Sequence, residues 1–194
     1  MTACRDHRGG PAPICITAGP LLDQHVPAID AIFFAASATQ TFASERERQA
    51  FRERWLGRYL DHYPQMTLVA IDPSNQVIGY LVGASDDPAR NPLFADIAYF
   101  AELADLTLSF PAHLHINLDA RARGQGIGAN LVRVFCAQLA RVGVPGVHVV
   151  TSTASRNRSF YARLGFQPLR TVVSKGGSIV MLGRGVNGGL GEQA

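Results

Sequence analysis

Cysteine is scarce in this chain, and the three present, Cys4, Cys15 and Cys136, form no motif. An odd number without Cys-x-x-Cys spacing argues against a disulfide framework or a structural zinc site, and fits a reducing compartment. His7, His25, His62 and His148 show no ligand spacing, so no metal is expected. No apolar run approaches the roughly 18–20 residues that a membrane span needs. Arg5 and Arg8 are followed by Pro11, Pro13 and Pro20, which interrupt any signal-peptide apolar core. These absences point to a soluble, cytoplasmic protein with no membrane partner. The most informative absence is of carboxylates, since none occurs between Asp119 and Glu192. Residues 1–119 carry 8 Lys/Arg against 14 Asp/Glu, whereas residues 120–194 carry 10 against 1. A basic half this clean suggests a polyanionic ligand, either nucleic acid or a phosphorylated cofactor.

The composition is that of an ordinary globular chain, 47% hydrophobic and 17% charged over 194 residues, which suggests one domain able to bury a core. We expect a flexible Pro/Gly-rich segment over 1–13, a single domain over 14–183 and a Gly-rich tail over 184–194. Residues 14–17 read as a strand and 22–38 as a helix. Ser44 reads as an N-cap completed by Glu47, opening a helix to about residue 63 with Phe51, Trp55, Tyr59 and Leu60 on its apolar side. Apolar runs at 67–71 and 77–82 flank Asp72-Pro73-Ser74-Asn75, an antiparallel hairpin signature. A short helix over 94–106, a strand over 112–118, a helix over 126–142 and a strand over 147–151 follow. A helix over 155–164 is closed by Gly165. Strands at 171–173 and 178–182 flank Lys175-Gly176-Gly177. The predicted fold class is α/β, with a mixed central sheet and helices on both faces.

The strongest local signal is Arg123-Gly124-Gln125-Gly126-Ile127-Gly128, after a strand and opening a helix. A helix start presents unpaired N–H groups and the positive end of the macrodipole, and glycines let a phosphate approach that backbone. A Walker A loop would end in Gly-Lys-Ser/Thr, but Gly128 is followed by Ala129-Asn130. The stretch from Gly124 to Ala129 does match the dinucleotide pattern, but the acidic residue wanted about 20 positions later for the ribose is missing from the carboxylate-free stretch. The diphosphate of coenzyme A is the third possibility.

The Arg-x-x-Gly-x-Gly pattern resembles the central motif of the GCN5-related N-acetyltransferases. The downstream run Asn157-Arg158-Ser159-Phe160-Tyr161-Ala162-Arg163-Leu164-Gly165-Phe166 is similar to that family's Asn…Phe-Tyr…Leu-Gly-Phe segment. The resemblance covers roughly residues 110–170 and implies an acetyl-CoA-dependent N-acetyltransferase of GNAT-type fold. It implies that the strand before the loop splays from its neighbour and offers the backbone of Ile116 and Leu118 to the pantetheine arm. Backbone N–H groups of Gln125, Gly126, Ile127 and Gly128 would hold the diphosphate, Arg123 would add charge, and Asn157 would bond the arm. Arg158 and Arg163 would lie near phosphates or be solvated surface cations. Tyr161 matches the family's general acid; the other reading is a buried tyrosine with a bonded hydroxyl.

His113, His115 and Asn117 would share one strand face opposite Leu114, Ile116 and Leu118, suggesting a wet cleft. Imidazole suits removal of a proton from an ammonium group. The His-Leu-His run also resembles that of the arylalkylamine acetyltransferases, where the pair serves as base. His115 and His113 are therefore either the base or structural histidines, with Asp105 and Glu102 in reserve. The stretch from Phe110 to Ile116 is similar to bacterial relatives of the acetyltransferase-like domain of O-GlcNAcase, which keeps open an acyl-CoA-binding module without chemistry. The expected reaction is direct acetyl transfer to a primary amine of a small molecule or peptide. Cys136 lies within a predicted helix and is not an acetyl carrier. Nucleic acid is not an expected partner, and a homodimer is a family-level expectation.

Overall fold

A computed structural model describes residues 15–17, 23–174 and 177–186. The N-terminal segment expected over 1–13, residues 175–176 of the expected second hairpin and residues 187–194 of the expected Gly-rich tail lie outside the described residues. Among the described residues, seven strands form a mixed sheet: β1 (Cys15–Thr17), β2 (Leu68–Ile71), β3 (Val77–Ala84), β4 (Ala112–Leu118), β5 (Gly146–Ser152), β6 (Gln167–Ser174) and β7 (Gly177–Gly185). Their order is β1-β2-β3-β4-β5-β7-β6. The β4–β5 pair is parallel, whereas β1–β2, β2–β3, β5–β7 and β6–β7 are antiparallel. This is the α/β class with a mixed sheet that the sequence predicts. The chain divides into two compact units, Met1–Gly83 with His115–Phe135, and Ala84–Leu114 with Cys136–Ala194.

In the first unit, α1 (Val26–Ala36) buries Ile29, Ile32 and Phe33. It begins later than the expected residue 22, because Asp23–His25 forms a tighter turn and Pro27 occupies the first helical turn, where its missing N–H costs nothing. Ser44 caps α2 (Glu45–Arg52): its Oγ accepts from the Glu47 N–H at 3.1 Å. The Glu47 carboxylate reaches back to the Ala43 N–H at 2.8 Å, so the box closes one residue earlier than the usual pattern. The helix expected to run unbroken to about residue 63 is interrupted by a π turn at Glu53–Gly57 before α3 (Arg58–His62). This widened turn shifts the helical phase, and four consecutive residues, Leu56 to Tyr59, are buried. Asp72 shapes the β2–β3 hairpin turn by accepting from the Ser74 and Gln76 N–H groups at 2.9 Å each, while Asn75 takes φ 61.

In the second unit, the single helix expected over 94–106 is instead two four-residue pieces, α4 (Tyr99–Glu102) and α5 (Ala104–Thr107), broken at Leu103. So short a segment has little intrinsic helical stability, and burial of Phe100 and Leu103 dictates its path. Helix α6 (Ile127–Arg141) runs through both units. Helix α7 (Asn157–Arg163) ends as predicted at Gly165, φ 83. The Phe166 N–H bonds to the Tyr161 carbonyl at 3.1 Å and the Gly165 N–H to Ala162 at 3.0 Å, which together make a Schellman cap. Strands β6 and β7 are longer than their expected cores, and β7 inserts between β5 and β6. Leu103, Val172 and Met181 form a buried cluster under them.

Candidate active site

The glycine loop belongs to the first unit and is built by local hydrogen bonds. After β4, the Asp119 N–H donates to the Ile78 carbonyl at 3.0 Å, and the Asp119 side chain accepts from the Arg121 N–H at 3.0 Å, capping the short turn Ala120–Ala122. The Gln125 side chain donates back to the Arg121 carbonyl at 2.7 Å. Gly124 and Gly126 take φ 76 and φ 78, a region that L side chains rarely occupy. A Cβ built on either would meet no protein atom within 4 Å. From this loop α6 starts at Ile127, and the Asn130 N–H is bonded to the Gly126 carbonyl at 3.0 Å. The N–H groups of its first turn precede any intrahelical acceptor. Ile127 and Gly128 are buried and Ala129 half-buried, so the helix start is seated firmly. The exposed Arg123 adds positive charge, whereas Arg121 is paired with the Asp119 carboxylate at 3.3 Å. This is a backbone cradle that a diphosphate would fit, with space where side chains are missing.

In the second unit β4 and β5 pair in parallel at Ala112 with Val147 and His113 with His148. The Leu118 carbonyl, expected to face a pantetheine arm, accepts from the Arg123 Nε and Nη2 at 3.4 and 3.3 Å. Arg123 is thus tied to the strand end.

His115 is half-buried in the first unit. Its Nε2 lies 3.1 Å from the Tyr59 hydroxyl, and its ring meets those of Tyr59 and Trp55 edge-on, with centroids at 5.2 and 5.7 Å. Asn117 donates to the Tyr80 hydroxyl at 2.7 Å. Burial pushes the Tyr80 phenol above its usual range; the Asn117 bond opposes that, and the Asp30 charge adds to it. Tyr59, Trp55 and Tyr80 carried no functional signal in the sequence. Tyr59 is 56 positions from His115 and Tyr80 is 37 from Asn117, and helical spacing marked Trp55 and Tyr59 only as a packing face.

The second unit corrects the expectation of a uniformly wet histidine face. His113 is only 3% exposed. The rings of Phe94, Phe100 and His148 surround it at 4.7, 5.5 and 5.5 Å. So enclosed, the His113 ring does not face the wet cleft expected of it. The reserve candidate Asp105 is held by Arg170 through two bonds of 2.6 and 2.7 Å, which keep its carboxyl below the usual range. Arg170 also donates to the Glu102 backbone carbonyl at 3.2 Å. Asn157 is exposed and accepts from the Thr151 hydroxyl at 3.0 Å. Arg158 donates to the Thr153 carbonyl at 2.9 Å, and Arg163 is exposed. Tyr161 is buried against Phe160 and Phe166, with centroids at 5.1 and 5.5 Å. Burial pushes its phenol above the usual range, so the proton is retained.

His148, stacked on His113, is fully buried, and its Nδ1–H donates to the Phe110 carbonyl. Desolvation pulls its pKa down to about 4; the Phe110 bond and the Asp87 charge oppose this only in part. The unfolded chain takes up a proton near pH 6.5 that the folded protein refuses until about pH 4. Stability is therefore full above pH 6.5 and falls as the pH drops from there toward 4. Linkage gives a loss of about 2 kcal/mol between pH 7 and 5. Urea unfolding across that window tests this, and a flat midpoint would contradict it.

Among the described residues, no group of three or more His, Cys, Asp or Glu is placed to hold a metal ion, and no helix is long and apolar enough to cross a membrane. A model of the acetyltransferase (GNAT) domain matches residues 64–168. The crystal structure of SsHAT superposes with a TM-score of 0.71 at 24% identity, covering 89% of this chain and 98% of that one. The Drosophila melanogaster polyamine N-acetyltransferase, which forms N-acetylagmatine, gives 0.63 at 14% identity, covering 89% and 99%. A phosphinothricin acetyltransferase from Sinorhizobium meliloti, in complex with acetyl-CoA, gives 0.59 at 20% identity, covering 88% and 86%. At these identities the likeness is one of fold.

Proposed function

Given that the chain belongs to the acetyltransferase (GNAT) domain family, we propose that it transfers acetyl from acetyl-CoA to a primary amine of a small molecule or peptide by direct attack. The observation that carries this reading is the start of α6, where two positive-φ glycines open a backbone cradle beside first-turn N–H groups. In this reading the N–H groups of Gln125, Gly126, Ile127 and Gly128 bind the diphosphate, with Ala129 continuing the turn and Arg123 adding charge. The backbone of Ile116 and Leu118, and the side chain of Asn157, hold the pantetheine arm, and Arg163 faces phosphate.

Acetyl-CoA, when bound, supplies a thioester carbonyl open to amine attack and a thiolate leaving group. His115 removes one proton from the acceptor ammonium and frees the amine to attack; Tyr161 protonates the departing thiolate and regains a proton from the second N–H lost as the amide forms. The aromatic enclosure of His113 supports giving the base role to His115. Cys136 is buried, and burial pushes its thiol up, which favours direct attack over a cysteine-bound acetyl group.

The test is release of free thiol from acetyl-CoA across a panel of amines, read with a thiol reagent. Turnover with at least one amine is expected. His115→Gln should lower kcat/KM about 100-fold at pH 7, the scale of a lost general base. Unchanged turnover in that variant would remove His115 from the mechanism. Tight acetyl-CoA binding with no turnover on any amine would leave an acyl-CoA-binding module, the reading raised by the likeness to the O-GlcNAcase domain.

A further inference from the structure

We propose that Trp55 binds the acceptor through its indole ring, which takes the substrate ammonium in a cation–π contact beside His115. The inference rests on reading His115 as the base, and it narrows the acceptor to an amine that arrives charged. Trp55 is the single tryptophan of the chain. It is half-buried on the π turn at Glu53–Gly57, a distortion that recurs at functional sites. The residues after it, Leu56 to Tyr59, are buried, so the turn is anchored around a ring that keeps part of its own surface open. That ring meets the His115 imidazole edge-on, with centroids 5.7 Å apart and an interplanar angle of 75°. Edge-on packing covers at most one face of an indole. Among the described residues no lysine or arginine lies over Trp55, whereas Arg48, about two turns earlier, places its guanidinium 3.7 Å from the centroid of Phe34. The same helical stretch fills one cation–π site with its own side chain and leaves the ring beside His115 to a ligand.

A primary alkylamine is protonated in neutral solution and carries its charge on nitrogen. A nitrogen hydrogen-bonded to an imidazole lies about 4 Å from the centroid of that ring. Trp55 is centred 5.7 Å from the His115 centroid, so such a nitrogen can also lie inside the roughly 6 Å over which a tryptophan face attracts a cation. Tryptophan is the strongest aromatic partner in this contact, because the face of its π system is negative. The half-buried setting removes part of the ammonium's water and strengthens the attraction. The nitrogen becomes positive again as its bond to the acetyl carbon forms, so the ring favours the bound amine and its attack alike. An alcohol of similar shape gains none of this, and the ring thereby selects amines over their neutral counterparts.

A single tryptophan makes the test specific, since growth on mono-, di- or trifluorinated tryptophan alters this ring alone. Fluorine withdraws electron density from the ring face and leaves the shape nearly unchanged. Calorimetry on the full chain, with coenzyme A in place of acetyl-CoA, reads amine affinity without transfer for the amines of the panel, butylammonium among them. Affinity should fall stepwise with fluorine number, to about fivefold to tenfold below native in the trifluorinated protein, while coenzyme A affinity stays within about twofold. Butanol should bind about tenfold more weakly than butylammonium. An amine affinity independent of fluorine number, equal binding of butanol, or no binding by any amine of the panel would overturn the inference. Fluorine-dependent amine binding with no release of thiol from acetyl-CoA would instead sink the transfer reading and leave the ammonium site standing.

Discussion

Gly126→Ala is expected to raise the KM for acetyl-CoA about 100-fold, the loss that follows when roughly two charge-assisted hydrogen bonds to phosphate are no longer made. The added methyl enters space that no protein atom occupies within 4 Å, where a diphosphate oxygen would otherwise approach the backbone. An alanine at φ 78 also costs about 1–2 kcal/mol of backbone strain, so a matched control is needed. Gly143, just beyond the end of α6, provides it: φ is 74, and a Cβ there also meets nothing within 4 Å. Gly143→Ala should lower the melting temperature by a similar amount and leave the KM unchanged. Equal KM values in the two variants would remove the glycine loop from the binding site.

Tyr161→Phe is expected to lower kcat about 100- to 1,000-fold, within the range of a lost general acid, while the KM for acetyl-CoA should stay within about twofold. The ring keeps its contacts with Phe160 and Phe166, so the urea midpoint should barely move. Because burial lifts the phenol above its usual range, the native enzyme retains this proton throughout the physiological pH range, and no loss of rate from Tyr161 ionisation is expected below pH 10. A variant with native kcat would assign Tyr161 to the core.

Proposals for the acceptor side rest on weaker sequence signals than those for the cofactor side, and the reason is physical. The glycine loop, the Ser44 cap, the Asp72 turn and the Gly165 cap are each encoded within a few residues, because backbone conformation and capping bonds are local. All four were legible and are found in place. His113 and His115 looked alike because strand alternation assigns a face without saying what covers it. Phe94, Phe100 and His148 enclose the first, whereas Tyr59 and Trp55 flank the second.

What the sequence determined by itself is the α/β class, the glycine-flanked start of α6 and the family motifs, since these rest on periodicity and on neighbours a few residues apart. Only the tertiary structure decided that β7 lies between β5 and β6, that the second helix is broken by a π turn, and that Arg170 claims Asp105. It also decided which histidine meets a buried tyrosine hydroxyl. These features depend on contacts between residues far apart in the chain, chosen by packing and burial, which no local pattern records.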